Sequence, residues 1–371
     1  MNVKYAAPAQ DPTGYGHASR AFIASLFLSQ VNTTVQLVSQ FPNITDYGWE
    51  GALCTSLRDR TIDYKIKIIH TTPDIYQDYR EKGKYNIGHL FWETDRLPVG
   101  WAEHCNKLDE IWTSSTHMVD LFKASGVTVP IYAFAQPMDT APADQKKEKF
   151  IIRRHSGYMF YSIFQWIDRK NPHDLVSAYW KAFQGRDDVS LLIKTFRHDY
   201  SPEQTALIKQ DVMRWKGEQK QSHYPKIFIC TKLLSRADTM MIHQTGDCYV
   251  TADRGEGWGR TIHEALLLGK PVIGTARGGI YEHLSDLHTY RIPSTYVPAE
   301  PDSFAKFYTQ EQNWAQVDRE KLIAGMKYIF ANQQKATAKG LLGSEYVKQK
   351  FNYWTIGSQM LKRLEEIQKT L

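Results

Sequence analysis

One segment of the chain, Glu256-Gly257-Trp258-Gly259-Arg260-Thr261-Ile262-His263-Glu264, restricts the fold more than any other. Its glycines form a turn, and the apolar run Ala265-Leu266-Leu267-Leu268 carries it on as a helix. Gly269 stops that helix, and Lys270-Pro271-Val272-Ile273-Gly274 reads as a buried strand. Turn, helix, stop and strand belong to a βαβ unit, so an α/β fold with a parallel sheet is expected. Small residues at a helix N-terminus expose backbone N–H groups, which suits a phosphate. With Glu256 in the turn and Glu264 a little over two helical turns along, the pair can reach opposite ends of one elongated ligand.

The same alternation runs through the rest of the chain. Residues 1–7 read as a strand, Asp11-Pro12-Thr13-Gly14-Tyr15-Gly16-His17 as a loop, and Ala18, Ala21, Phe22 and Leu26 recur at helical spacing. Short apolar runs at 35–38, 65–69, 86–91, 110–113 and 130–134 fit buried parallel strands, with helices at 101–107 and 116–125. Residues 140–150 are polar and aperiodic and read as a linker. A second alternation follows, with strands at 159–165, 190–195, 227–230, 247–250 and 271–274. Its helices are expected at 172–183, 202–216, 235–245 and 261–268. Two alternations predict two doubly wound domains, 1–147 and 148–350, facing each other across a cleft. Residues 351–371 form an amphipathic helix with Ile356, Met360, Leu364 and Ile367 on one face. That helix is expected to pack back toward the N-terminal domain.

A chain of 371 residues is long enough for two domains with separate cores. Hydrophobic residues make up 42% and charged residues 23%, which suits a soluble globular protein. No run approaches the roughly 18 apolar residues that a membrane span needs. The polar start, Met-Asn-Val-Lys, does not resemble a signal peptide, so a cytoplasmic protein is expected. Cys54, Cys105, Cys230 and Cys248 lack paired metal-ligand spacing and are expected to be reduced thiols. Residues 1–150 carry 15 Lys+Arg against 17 Asp+Glu, and the remainder 31 against 23, so the net charge of +6 comes from the later half. That half holds the glutamate motif, and the excess fits an anionic ligand there. An ordinary solvated basic surface gives the same balance.

The Glu256/Glu264 pair, in its Gly-Trp-Gly and Gly-Lys-Pro-Val-Ile context, resembles the signature of family 4 glycosyltransferases. Gly14-Tyr15-Gly16 is similar in position to that family's N-terminal glycine loop. Trp92-Glu93-Thr94-Asp95-Arg96-Leu97-Pro98 with Trp101, and Leu108-Asp109-Glu110-Ile111-Trp112-Thr113-Ser114-Ser115, resemble segments of one subgroup. Arg169-Lys170-Asn171-Pro172 resembles the basic segment that opens the C-terminal domain, and Gly278-Gly279 before Glu282 the late glycine pair. The ordered set spans essentially the whole chain. It implies the GT-B fold of two Rossmann-like domains. It also implies transfer of a sugar from a UDP- or GDP-linked donor to an acceptor hydroxyl, with retention of configuration. The acceptor is left open between a glycan, a protein, a small molecule and a hydroxylated DNA base.

By that resemblance Glu264 accepts hydrogen bonds from the ribose, and Glu256 contacts the donor sugar. The amides of Gly257, Trp258 and Gly259, with Arg260 and Thr261 beside them, approach the sugar and diphosphate. Lys170 is the leading candidate to stabilise the departing diphosphate, with Arg169 next to it and Lys194 second. The family commonly places an arginine five residues before that lysine. Here Gln165 stands there, and Arg169, Arg254 and Arg260 are the residues able to compensate. Gly14 and Gly16, flanking Tyr15, permit close backbone approach to the diphosphate. Trp258 either stacks on a sugar ring or packs in the loop.

His89 and Glu93 sit at or near the end of one strand, and His70 and Asp74 close the preceding one, where open α/β sheets bind ligands. Glu93 is the candidate to position or deprotonate the acceptor, and the two histidines are expected to be structural. The base is expected to dock near Thr231, Lys232 and Leu233, ahead of a helix cap at Ser235. The chain has no Asp-x-Asp motif, in agreement with a metal-independent mechanism, and no cofactor is expected. Two alternatives stand beside transfer. One is a non-catalytic nucleotide-sugar-binding protein on the same scaffold, motivated by Gln165. The other is an epimerase or phosphorylase.

Overall fold

The structure is a computed structural model that describes the chain except residues 40–46, 142–149, 151, 153, 154, 156, 280–284 and 302–306. Most of the linker expected at 140–150, and Glu282, therefore lie outside the described residues. The chain divides into two compact units: Met1–Thr140 with Lys348–Leu371, and Ala141–Val347. Among the described residues no helix is long and apolar enough to cross a membrane.

The first unit runs β1 (Asn2–Ala7), α1 (Gly14–Leu28), β2 (Asn32–Leu37), α2 (Gly48–Ser56), β3 (Ile66–His70), α3 (Tyr76–Tyr79), β4 (Tyr85–His89), α4 (Trp101–Cys105), β5 (Glu110–Thr113), α5 (Thr116–Ala124) and β6 (Ile131–Ala133). Its strands form one parallel sheet in the order β2-β1-β3-β4-β5-β6. Every residue of β3 is buried, as expected of a strand covered on both faces. Lys67, the charge within that run, reaches Glu81 at 2.6 Å. The order reverses between β1 and β3, which leaves a crevice at the carboxyl ends of those strands.

The second unit runs β7 (Tyr158–Gln165), α6 (Pro172–Ala182), β8 (Val189–Phe196), α7 (Pro202–Gln219), β9 (Lys226–Cys230), α8 (Arg236–Thr245), β10 (Cys248–Val250), α9 (Arg260–Leu267), β11 (Val272–Thr275), β12 (Tyr290–Ile292), β13 (Ser294–Pro298), β14 (Asn313–Val317), α10 (Arg319–Ala331) and α11 (Gln333–Lys350), the last reaching into the closing segment of the first unit. Its parallel sheet has the order β12-β11-β10-β7-β8-β9, and β13-β14 is a separate antiparallel pair. The reversal here falls between β7 and β10. Phe160, Leu191, Ile193 and Val250 of the sheet meet Val176, Tyr179, Leu322 and Met326 of the flanking helices in one core.

A last helix, α12 (Tyr353–Gln368), packs against α1 with Ile356, Met360, Leu364 and Ile367 buried. A Cβ on Gly357 would stand 2.4 Å from the Ser25 carbonyl oxygen, so the two helices meet backbone to backbone there. Further along, Arg363 donates to Glu110 Oε2 at 2.6 Å. Glu110 is wholly buried, and it also accepts from Trp112 Nε1 at 2.6 Å and Tyr85 Oη at 3.0 Å.

Two expectations need correction, and Glu93 is placed more closely. The Gly14-Tyr15-Gly16 loop is the first turn of α1, which begins at Gly14 behind an extended Thr13. Gly16 is required there by the chain itself, because a Cβ would lie 2.0 Å from the Asp11 carbonyl oxygen. Asp74 does not close β3 but sits in a separate 3-10 turn, Pro73–Ile75. Glu93 stands four residues beyond the end of β4, outside any strand or helix.

Candidate functional site

The loops after β7 and β10 leave adjacent strands at the strand-order reversal, and this brings distant sequence together. After β7 the chain makes a 3-10 turn, Asp168–Lys170, and enters α6 through Asn171. Asn171 has a left-handed backbone and its side chain accepts from Asp174 N, while Pro172 presets the first helical position. After β10 the chain passes Asp253 and Arg254 to Glu256. The Arg254 amide donates to the Arg169 carbonyl at 2.7 Å, and Arg169 Nη1 donates to the Gly255 carbonyl at 2.6 Å.

Lys170 and Glu256 are in direct ionic contact, with Asp253 3.8 Å from the ammonium and Arg169 4.0 Å from the second Glu256 oxygen. Lys170 and Glu256 are each 13% exposed, so the pair is largely withdrawn from water yet reachable. The late glycines explain the shape of the turn. Gly279 N donates to the Glu256 carbonyl at 2.9 Å, and a Cβ on Gly279 would stand 1.8 Å from the Gly257 carbonyl oxygen.

Gly259 adopts a left-handed backbone and starts α9 without a side-chain cap. Trp258 is buried with its ring 4.5 Å from that of His263, which is the packing alternative for this residue. Thr261 shares a 2.7 Å hydrogen bond with the Tyr249 hydroxyl. Glu264, on the next turn, is buried beside two guanidinium groups and an imidazole: Arg236 at 2.9 Å, Arg260 at 3.0 Å and His243 at 3.3 Å. Burial pushes its carboxyl up, but Arg260, His243 and Arg236 together outweigh this and hold it well below the usual carboxylate range.

Gln165 donates its amide to the Arg197 carbonyl at 2.8 Å and so braces the end of β8. Of the three arginines considered in its place, Arg169 lies at the Lys170–Glu256 corner. Arg260 is committed to Glu264, and Arg254 lies over the Trp314 ring at 5.3 Å.

Lys194 is brought to neither cluster. Its ammonium lies 4.7 Å from the Tyr200 ring and 5.9 Å from that of Phe196. Burial pushes its pKa down to about 8, against the opposing charge of Cys230. Lys232 and Leu233 are exposed on the loop after β9, ahead of a complete capping box between Ser235 and Asp238. Asp253, Arg236 and His243 are functional candidates that sequence reasoning missed. Arg236 and His243 approach from α8, Asp253 meets Lys170 from the loop after β10, and no local motif marks any of them.

In the first unit, Tyr15 closes a cluster at the ends of β3 and β4. Its hydroxyl donates to the Phe91 carbonyl at 3.0 Å, and its ring lies 5.6 Å from that of His70. Burial first, and the Glu93 charge second, push its pKa up. His70 and His89 occupy matched positions on adjacent strands and stack at 4.2 Å. Both are wholly buried, and the Tyr5 hydroxyl lies 2.9 Å and 3.1 Å from their Nδ1 atoms. Gly14 is exposed with open space around its Cα, and Glu93 is half-buried.

No protein-family profile matches the sequence, and no curated protein sequence matches it either. Solved structures do match the fold. Anabaena HepE, in complex with UDP and glucose, is similar with a TM-score of 0.68 at 12% identity, over 99% of this chain and 100% of that one. The sucrose-phosphate synthase of Thermosynechococcus elongatus is similar with a TM-score of 0.68 at 12% identity, over 100% of both chains. An E. coli trehalose-6-phosphate protein bound with UDP-2-fluoro glucose gives 0.65 at 10% identity, over 98% of this chain and 99% of that one. Two doubly wound parallel α/β units and these likenesses define the fold as GT-B, the fold of a class of glycosyltransferases.

Proposed function

We propose that this protein is a glycosyltransferase that moves a sugar from a nucleoside diphosphate donor to an acceptor hydroxyl. The observation that carries the reading is the Lys170–Glu256 contact at the strand-order reversal, beside the turn that feeds α9. Open α/β sheets bind ligands at that place. The similar HepE and E. coli structures hold UDP, glucose or a UDP-sugar, which supports a nucleotide-sugar donor.

In this reading the diphosphate takes over Lys170, with Arg169 alongside. Positive charge there stabilises the leaving group as its charge develops. Glu256, released from Lys170, turns its carboxylate to the sugar hydroxyls. The amides of Gly257, Trp258 and Gly259 face the sugar and phosphates. Glu264, kept ionised by its arginines, accepts from the ribose. The donor is UDP- or GDP-linked, configuration is retained, and the leaving phosphate takes the acceptor proton. No metal or cofactor takes part, Glu93 positions the acceptor, and the enzyme works in the cytoplasm. The division of labour is an acceptor-side domain at 1–147 and a donor-binding domain at 148–350.

Incubation with UDP- and GDP-sugars tests this. Slow donor hydrolysis without acceptor is expected, insensitive to chelators. Lys170→Ala should lower turnover by about a hundredfold, and Glu264→Ala should weaken donor binding by about tenfold. Wild-type behaviour in both variants sinks the assignment. Gln165, committed to Arg197, favours a second reading, a nucleotide-sugar-binding protein without turnover. Tight donor binding with no hydrolysis and no transfer would establish that one instead.

A further inference from the structure

Two contacts from the β13-β14 hairpin reach the segment around Glu256, one on each side of it. On the first side, Ala315 N of β14 donates at 2.6 Å to the carbonyl of Arg254, two residues before Glu256. The Arg254 amide in turn donates to the Arg169 carbonyl, next to Lys170. On the other side, Arg277 lies against β13. Its Nε donates to Ser294 Oγ and its Nη2 to the Ser294 carbonyl, each at 3.1 Å. Its guanidinium lies 4.2 Å from the centre of the Tyr296 ring. Ser294 and Tyr296 are two residues apart on β13 and so share one face.

Arg277 directly precedes Gly278-Gly279, the pair against which the Glu256–Gly257 backbone rests. Gly279 N holds the Glu256 carbonyl, but neither glycine has a side chain with which to anchor its own loop. The last bond of the sheet, Ala276 N to the Ile292 carbonyl at 3.1 Å, comes before both of them. Arg277 is thus the side chain that ties the glycine pair to a regular element. What holds its guanidinium is a fork of two hydrogen bonds on one residue, with an aromatic ring beside it. A lysine would keep the charge and lose the fork.

We propose that Arg277 is a positioning residue for the donor turn. By clamping Ser294 it fixes the Gly278-Gly279 pair, and through that pair the Glu256 carbonyl and the turn that carries the Glu256 carboxylate. The clamp stands on the contacts alone; its bearing on the reaction rests on the glycosyl-transfer reading. A turn that drifts misplaces the reacting groups and costs rate, while UDP keeps Lys170 and Glu264.

The test compares Arg277→Ala, Arg277→Lys and Ser294→Ala in the full chain. Hydrogen exchange is read by mass spectrometry on peptides covering 255–259 and 276–279, with β7 and β8 as reference, beside UDP binding and UDP-glucose hydrolysis. Both arginine variants are expected to exchange about fivefold faster in those two peptides alone. They should hydrolyse donor about tenfold more slowly, with UDP affinity unchanged. Ser294→Ala, which removes one acceptor and disturbs the chain least, should show the same pattern at about twofold. Wild-type exchange at 255–259 in all three variants overturns the proposal. So does wild-type behaviour of Arg277→Lys, which would leave the charge and not the fork as the cause. Acceleration spread equally over β7 and β8, a tenfold loss of UDP affinity, or unchanged hydrolysis in a protein that does hydrolyse donor also overturns it. Failure of the transfer reading looks different: exchange responds as expected, while the wild type neither binds UDP nor hydrolyses UDP-glucose.

Discussion

Lys170 and Glu256 neutralise each other, so any anion that takes the lysine competes with a carboxylate, and the carboxylate is released by the same event. Elsewhere, single residues set the protein's response to acid. His70 has its pKa pushed down to about 3 by burial, and His89 is lowered by burial and then by His70. Both are therefore neutral at pH 7, whereas an unfolded histidine titrates near 6.5. The unfolded chain takes up the proton first. Stability is thus fully present above about pH 6.5 and falls as pH drops toward 3, by about 2 kcal/mol at pH 5 for His70 alone. Urea unfolding at pH 7 and pH 5 should show His70→Asn losing about that much less than the wild type. An equal loss in both would remove the histidine from the account. The sequence spacing marked Glu256, Glu264 and Lys170, because each sits in a contiguous motif. It did not mark Asp253, Arg236 or His243, whose part depends on strand and helix neighbours far away in the chain.

The alternation of strands and helices was legible because strands buried on both faces are plain apolar runs, as in β3. The β13-β14 hairpin was not legible. Ser294–Pro298 is largely exposed, and no short turn joins it to its partner. The start of α1 was misplaced because glycine and proline mark a loop in sequence, while here Gly14 and Gly16 lie inside the helix. At the turn before α9, the element depends on two glycines from the next loop. Gly278 has φ +81°, and Gly279 lies against the Gly257 carbonyl. Gly279→Ala must push the Glu256–Gly257 backbone aside, at a cost of about 1–3 kcal/mol. On the proposed transferase reading, donor affinity should fall by about tenfold, read by calorimetric titration with UDP-glucose beside a denaturation curve. An alanine variant with unchanged affinity would separate the glycine pair from the donor turn.

The first unit is discontinuous in sequence, since its opening segment is completed by Lys348–Leu371. The amphipathic stripe of α12 could be read directly from Ile356, Met360, Leu364 and Ile367. Its seat on α1, and the arginine it brings to Glu110, could not. A fragment ending at residue 140 leaves the α1 face uncovered and the Glu110 carboxylate buried without its cation, a loss of about 3–5 kcal/mol for the charge alone. Residues 1–140 are therefore expected to be unfolded by circular dichroism. Adding a peptide of residues 348–371 should recover structure in a concentration-dependent way. A cooperative melt from residues 1–140 alone would contradict this.

Taking the Ser19–His70 contact as a hydrogen bond fixes the hydrogens around the stacked histidines. Ser19 gives its hydroxyl hydrogen to the Tyr15 carbonyl, so toward His70 Nδ1, 3.3 Å away, it can only accept. His70 Nδ1 must then carry a hydrogen. The Tyr5 hydroxyl, receiving from His70, gives its own single hydrogen to His89 Nδ1, and His89 keeps its hydrogen on Nε2. Two neutral imidazoles on neighbouring strands are thereby opposite tautomers, distinguishable by their nitrogen-15 shifts. The polarity runs one way, from β3 through β1 to β4, and neither ring can turn over without the other.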